Sequence, residues 1–353
     1  MSRPALGIVV IGLSITSSWG NGHATTYRGL LRALRRRGHD VTFLERDVPW
    51  YAQNRDLPAP DYARTWLYRS VEELKERFGE QVRQADLVIV GSYVPEGIAV
   101  ARWVTEVARG TTAFYDIDTP VTLEALAKGE CAYIDRGVIP RFDLYLSFTG
   151  GPTLRRLEQE FGAQRAVPLY CAVDPELYYP EPVSEYWDLG YLGTYAPDRQ
   201  PVLDSLFLGP AQRWQGGRFV AAGPQFPPEV QWPDNVERIE HLAPAQHRRF
   251  YNTQRFTLNA TRAAMTRLGW SPSVRLFEAA ACGTPIISDH WPGLEAFFTP
   301  DSEVLVASNP AEVLDLLKGL PAEKRIAIGE RARRRILASH TAEHRAETLE
   351  SCL

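Results

Sequence analysis

Residues 259–295, NATRAAMTRLGWSPSVRLFEAAACGTPIISDHWPGLE, constrain this chain more than any other stretch. The run begins at the end of a predicted strand, 256–258, and continues as a polar loop. A helix is predicted from about 273 to 282. Gly283 stops it, because glycine alone enters the left-handed conformation cheaply. Residues 285–288 read as a short buried strand with Asp289 at its carboxyl end. Strand, loop, helix, glycine and strand make an α/β unit, and such units bind ligands beyond the carboxyl ends of their strands.

The start of that helix offers unpaired backbone N–H groups and the positive end of the helix dipole. Ser271 and Ser273 add hydroxyls, Pro272 stiffens the loop, and Arg262 and Arg275 add guanidinium groups. That set suits a diphosphate. Glu278, just over a turn into the helix, is placed to accept hydrogen bonds from a ribose. The plainer alternative is an ordinary capped helix with one surface glutamate.

The run RLFEAAACGTPIISD from Arg275 to Asp289, followed by Gly293, Leu294 and Glu295, resembles the donor-site signature of group 1 glycosyltransferases with the GT-B fold. It is most similar to the CgeB-like, spore-maturation branch, with its R-x-F-E-A-x-A-x-G pattern. The resemblance is strong over 259–300 and fainter elsewhere. It implies an α/β chain of two Rossmann-like, doubly wound domains with the donor in an interdomain cleft. It also implies that Glu278 holds the ribose of a nucleotide-diphosphate sugar. The wider family carries a second glutamate eight residues earlier, where this chain has Trp270. That departure leaves inversion and retention both open.

At 353 residues, one or two domains with substantial cores are expected. Apolar residues are 44% and charged residues 23%, as in ordinary water-soluble domains, and the net charge of −4 argues against nucleic acid as a partner. Cys131, Cys171, Cys282 and Cys352 form no CxxC pair, so neither a zinc site nor a disulfide framework is indicated. The N-terminal apolar run is too short to span a bilayer and lacks a cleavage pattern. The expectation is a cytoplasmic enzyme.

Continuous apolar runs, as in buried parallel strands, occur at 6–13, 41–44, 86–90, 111–114 and 144–148. Helical patterns lie at 23–37, 71–84, 96–109 and 151–161, and 45–69 reads as one long loop rich in aromatics and prolines. Alternation of this kind predicts a mostly parallel sheet wound on both faces. Residues 170–180, YCAVDPELYYP, resemble the family's interdomain linker, and Pro175, Pro180 and Pro182 mark a boundary. The expected domains are 1–170 on the acceptor side and 171–353 on the donor side, with the last helix able to cross back. Further strands are predicted at 188–192, 218–221, 236–239 and 304–306.

Gly20-Asn21-Gly22-His23 follows the first strand. A dinucleotide fingerprint would need a third glycine where Thr25 stands, with Glu45 as the ribose-binding acid; an NAD(P)-dependent oxidoreductase is that reading. The resemblance instead implies a loop facing the cleft, where Gly22 lets the donor approach and His23 acts on the acceptor hydroxyl or bonds the donor. Asp116 and Asp118 form a D-x-D pair, a metal site in GT-A enzymes. Their place in the first domain argues against that, and Asp118 either shapes the acceptor side or caps the next helix. By the same resemblance Gly193, Thr194 and Arg199 face the donor phosphates, while His241 and Leu242 border the base through their backbones. His340 and His344 stand one helical turn apart without a carboxylate in register, so no metal is expected there. Residues 35–37 and 331–335 read as solvated basic helix faces, with peripheral membrane contact at most. The expected function is metal-free transfer of a sugar from a nucleotide-diphosphate sugar, needing no other cofactor, to an unidentified acceptor. A non-catalytic nucleotide-sugar-binding relative is the alternative.

Overall fold

The computed structural model describes residues 4–353; the first three residues of the N-terminal stretch lie outside it. The chain divides into two units. One runs to Tyr170 and resumes over Ala342–Leu353; the other is Cys171–Thr341.

In the first unit the apolar runs become β1 (Gly7–Gly12), β2 (Asp40–Arg46), β3 (Arg64–Tyr68), β4 (Leu87–Gly91), β5 (Thr111–Asp116), β6 (Leu144–Ser147) and β7 (Ala166–Pro168). All pair in parallel, in the order β3-β2-β1-β4-β5-β6-β7. The strands step outward in opposite directions from β1 and β4. Their carboxyl ends therefore flank a topological switch point, where open α/β sheets bind ligands. The helices are α1 (Gly22–Arg36), α2 (Pro49–Ala52), α3 (Val71–Gln84), α4 (Gly97–Val107), α5 (Thr119–Lys128) and α6 (Pro152–Phe161). On α1, Tyr27, Leu30, Leu31 and Leu34 recur at helical spacing and are buried.

The second unit has β8 (Trp187–Leu192), β9 (Phe219–Ala222), β10 (Val236–Ile239), β11 (Gln254–Asn259), β12 (Ile286–Ser288) and β13 (Leu305–Val306). They too are parallel, in the order β10-β9-β8-β11-β12-β13, with the switch point between β8 and β11. Its helices are α7 (Gln200–Leu203) and α8 (Gly209–Arg213), joined by a π turn over Asp204–Leu208, then α9 (Pro244–Asn252), α10 (Ala263–Leu268), α11 (Val274–Ala281), α12 (Pro310–Gly319) and α13 (Ala322–Ser339). Tyr191, Phe207, Phe219, Phe256 and Ile287 pack in its core. The last helix, α14 (Ala342–Glu350), belongs to the first unit and packs along α1.

Several expectations are corrected. The supposed long loop at 45–69 contains α2 and the edge strand β3, whose residues alternate in exposure and include an exposed Trp66. The polar loop before α11 contains α10, built from good helix formers, AAMTRL. The basic run 331–335 is not simply solvated. Arg331 donates to Ser302 O, Arg333 to Ala281 O, and Arg335 to Phe297 O. Nor does Arg37 face only water, since it donates to both carboxylate oxygens of Glu350. His340 follows the end of α13 while His344 lies in α14, so they share no helical turn.

Candidate functional site

In the second unit, Gly193, Thr194, Arg199, Ser273 and Arg275, all selected from the sequence, gather at the carboxyl ends of β8 and β11. Arg275, in the first turn of α11, is buried. Its Nε donates to Leu192 O at the end of β8, and its Nη1 donates to Asn259 Oδ1 at the end of β11, 3.1 Å away. Its guanidinium lies over the Tyr191 ring at 4.9 Å. Arg199 reaches the same tyrosine: its Nη1 donates to Tyr191 Oη at 3.2 Å and to Thr194 O at 2.9 Å. No carboxylate forms an ion pair with either arginine among the described residues. Burial, with the nearby charge of Arg199, pushes Arg275 below the usual guanidinium range. A buried cation held only by neutral oxygens and a ring is costly, and an arriving anion would relieve that cost.

Gly193 makes this arrangement fit. A Cβ there would stand 2.4 Å from Arg275 Nη2 and 2.6 Å from Tyr191 Oη, so any side chain would displace the guanidinium. Ser273 is the N-cap residue of α11, but its hydroxyl does not cap the helix. It donates to Asn259 Oδ1 at 2.8 Å. Ser271 is buried in the loop before it. Arg262 donates to Asp198 at 3.2 Å, tying the segment after β11 to the loop after β8.

Glu278 is not a surface residue: it is 3% exposed. Tyr251 Oη donates to its Oε2 at 3.1 Å, and His247 Nδ1 stands 3.8 Å from the same oxygen. Tyr178 also faces this carboxylate; burial, then the charge of Glu278, pushes its hydroxyl well above the usual range. His241 and Leu242 lie between β10 and α9, and Leu242 O meets His247 Nε2 at 3.1 Å.

Trp270 occupies a left-handed backbone position, φ 45°, which costs a bulky residue roughly 1–3 kcal/mol. Its N–H donates to Pro292 O at 2.7 Å, and a Cβ on Gly293 would lie 2.6 Å from its indole. The loops before α11 and after β12 are therefore interlocked. Asp289 accepts from the backbone and hydroxyl of Thr261, and burial raises its carboxyl.

In the first unit, the loop after β1 is shaped by Glu45. This fully buried carboxylate accepts from Ser14 Oγ, Ile15 N, Thr16 N and Thr16 Oγ1 at 2.6–3.1 Å. Four donors fill the four lone-pair positions of a carboxylate. Glu45 thus has no acceptor left for a ribose, and the dinucleotide arrangement is not present. Asn21 caps α1 by accepting from His23 N at 3.1 Å. Gly22 is exposed, with open space where a side chain would project.

His23 opens α1 half-buried, with its Nδ1 enclosed and without a hydrogen-bond partner. Burial pushes its pKa down to about 4, so the imidazole is neutral near pH 7. Its ring meets Tyr93 edge-on at 5.2 Å, and Tyr93 Oη donates to Asp118 Oδ2 at 3.1 Å. Asp118 is the N-cap residue of α5 but makes no capping bond with its side chain. Tyr93 itself has φ 62° and lies 4.6 Å from the Tyr133 ring. Asp116 is fully buried: Thr122 donates to Oδ1 at 2.7 Å and Tyr145 to Oδ2 at 2.6 Å. Burial raises it to about 6 against those hydrogen bonds. The D-x-D pair does not present two open carboxylates. Among the described residues, no group of three or more His, Cys, Asp or Glu is arranged to hold a metal ion.

The sequence reading missed Tyr191, Asn259, Tyr251, His247 and Tyr178 in one unit, and Tyr93 and Tyr133 in the other. Asn259 carried a signal, a polar residue closing an apolar strand. The tyrosines carried none, since a buried tyrosine reads as core.

Residues 199–351 match the model of a family described as Glycosyl transferase-like. No protein of curated function matches the chain. Solved structures match along its length. Sucrose-phosphate synthase from Thermosynechococcus elongatus is 14% identical, with a TM-score of 0.69 over 98% of this chain and 97% of its own. HepE from Anabaena, in complex with UDP-glucose, is 13% identical, with a TM-score of 0.70 over 98% and 100%. A glycosyltransferase involved in avilamycin A biosynthesis is 19% identical, with a TM-score of 0.62 over 98% and 97%. At these identities the likeness is one of fold: two Rossmann-like parallel-sheet domains, the GT-B fold. No helix among the described residues is long and apolar enough to cross a membrane.

Proposed function

We propose that this protein is a glycosyltransferase that moves a sugar from a nucleotide-diphosphate sugar to an acceptor not yet identified. The observation that carries the reading is the pair Arg199 and Arg275, drawn to Tyr191 with no carboxylate in ion-pair contact with either among the described residues. The fold of the matched glycosyltransferases supports it. In this reading the unit Cys171–Thr341 takes the donor. Arg275, Arg199, Arg262, Thr194 and the start of α11 with Ser271 and Ser273 meet the diphosphate, Gly193 leaves room for Arg275, and Glu278 accepts from the ribose. His241 and Leu242 border the base. Within that class we favour the CgeB-like branch, on the likeness of the R-x-F-E-A-x-A-x-G run from Arg275.

Cleaving the sugar–phosphate bond leaves negative charge on the diphosphate. Fixed guanidinium and N–H donors stabilise that charge more in the transition state than in the ground state, so metal is not required. The acceptor's proton goes to neutral His23 if the reaction inverts, with Gly22 leaving the loop open and Asp118 orienting the site through Tyr93. If it retains, the leaving phosphate takes the proton.

A non-catalytic nucleotide-sugar-binding protein is the second reading, favoured by Trp270. Its indole, packed on Gly293, has no acceptor for a sugar hydroxyl where the wider family has glutamate. A thermal-shift panel of UDP, GDP, ADP, CDP, NAD and NADP tests the donor site shared by both readings. At least one nucleoside diphosphate should raise the melting temperature, because a ligand of the folded state stabilises it by mass action. Stabilisation by the dinucleotides alone would overturn both readings.

A further inference from the structure

His247 ties together two segments that the donor reading assigns to the nucleoside, and nothing in the sequence marked it. The residue lies in the first half of α9, with its side chain largely enclosed. Its Nε2 is 3.1 Å from Leu242 O. A carbonyl only accepts, so Nε2 carries a proton and donates. That fixes the ring and turns Nδ1 the other way. There Nδ1 meets Tyr178 Oη at 3.4 Å and Glu278 Oε2 at 3.8 Å. Tyr251, one turn on along the same helix, donates to that same oxygen at 3.1 Å.

We propose that His247 is a positioning residue for the nucleoside half of the donor: one imidazole holds the Leu242 carbonyl segment through Nε2 and, through Nδ1, the hydroxyl of Tyr178, which faces the Glu278 carboxylate. This rests on the donor reading above and deepens it by naming what aligns the base-side segment with the ribose-side carboxylate. The geometry makes the two contacts interdependent. Donation to Leu242 O orients the ring, and only in that orientation does Nδ1 face Tyr178 and Glu278. The diphosphate groups are held separately, by Arg275 and Arg199 on Leu192, Asn259, Tyr191 and Thr194, and the hydrogen bonds of His247 among the described residues go instead to Leu242 and Tyr178. His247 therefore acts on nucleoside recognition and leaves phosphate recognition alone.

The test compares two probes by calorimetry on the full chain: inorganic pyrophosphate, and whichever of UDP, GDP, ADP or CDP binds the wild type most tightly. His247→Phe keeps a ring of similar size and removes both nitrogens. It should weaken the nucleoside diphosphate roughly tenfold or more, the order expected for interactions with a charged group, and leave pyrophosphate within about twofold. His247→Gln, whose amide can still donate to Leu242 O, should recover most of the loss. If His247→Phe does not fold, His247→Asn replaces it, since its shorter amide keeps polarity but does not reach the carbonyl. Equal nucleoside diphosphate affinity in wild type and variant overturns the proposal. So does a parallel loss of pyrophosphate, which marks a general collapse, and so does failure of the glutamine to rescue. If the wild type itself binds none of the four nucleotides, the donor reading falls and the proposal with it.

Discussion

Tyr251 Oη donates to Glu278 Oε2 across 3.1 Å, with both side chains buried. A carboxylate in this position is held for hydrogen bonding and is shielded from water, which weakens competition for an incoming hydroxyl. Glu278→Gln keeps the volume and removes the charge. It should weaken nucleoside diphosphate binding by roughly 1–3 kcal/mol, read by calorimetry. Unaltered affinity would remove Glu278 from the ribose site.

Gly193→Ala should act through Arg275. The new methyl would stand 2.4 Å from Nη2, and Arg275 is anchored at Leu192 O and Asn259. Crowding of this kind costs about 1–3 kcal/mol, and in the proposed reading the displaced group is the one that meets the phosphates. We expect weaker pyrophosphate and nucleoside diphosphate binding alike, accompanied by a lower melting temperature. A variant that binds both ligands as the wild type does would show that Arg275 is not held at the phosphate.

The proposed acceptor side should have a pH signature. Burial pushes His23 down to about 4 from its ordinary 6.5. A base must be unprotonated, so the acid limb of the pH–rate profile should fall near pH 4 and not near 6.5. The unfolded chain binds this proton more readily than the folded one between those values, so His23 also lowers stability as pH falls from about 6.5 towards about 4. His23→Ala should cut turnover by about 10²–10⁴ and remove both the limb and that stability loss. Turnover preserved at saturation, with weaker donor binding, would make His23 a donor contact and favour retention.

Much of this was legible in the primary structure, for identifiable reasons. Buried parallel strands need unbroken apolar runs, so β1 and β4 announced themselves, whereas β3 at the sheet edge alternates in exposure and was lost among aromatics and prolines. Arg275 and Glu278 stood out because one sits at the start of a helix suited to a diphosphate and the other just over a turn in, within a run that resembles a known signature. The arginines of α13 misled the reading, because donation to distant carbonyls such as Phe297 O leaves no trace in local spacing. His247, Tyr191 and Tyr93 escaped for a related reason: each has a partner far away in sequence, Tyr178, Arg275 and Asp118 respectively.

Acid should loosen the C-terminal helix first. Hydrogen bonds from Arg37, opposed by burial and aided by His39, hold Glu350 at about 2 against an ordinary 4.5. A depressed carboxyl contributes stability above its unfolded value and loses it as pH falls through the folded one, here between about 4.5 and about 2. Allowing for the partial exposure of Arg37, the contribution is on the order of 1–3 kcal/mol. Glu350→Gln should remove it, flattening the acid limb of urea-unfolding stability. An unchanged limb would show that the pairing contributes nothing.

The most direct test of the central claim is release of nucleoside diphosphate from a panel of nucleotide sugars without acceptor, measured with chelator present. We predict slow release from at least one donor, undiminished by EDTA and abolished or strongly reduced by Arg275→Ala. Release that EDTA stops and manganese restores would contradict the metal-free site. No release from any donor, with a nucleoside diphosphate still bound, would mean that this fold holds the nucleotide without turning it over.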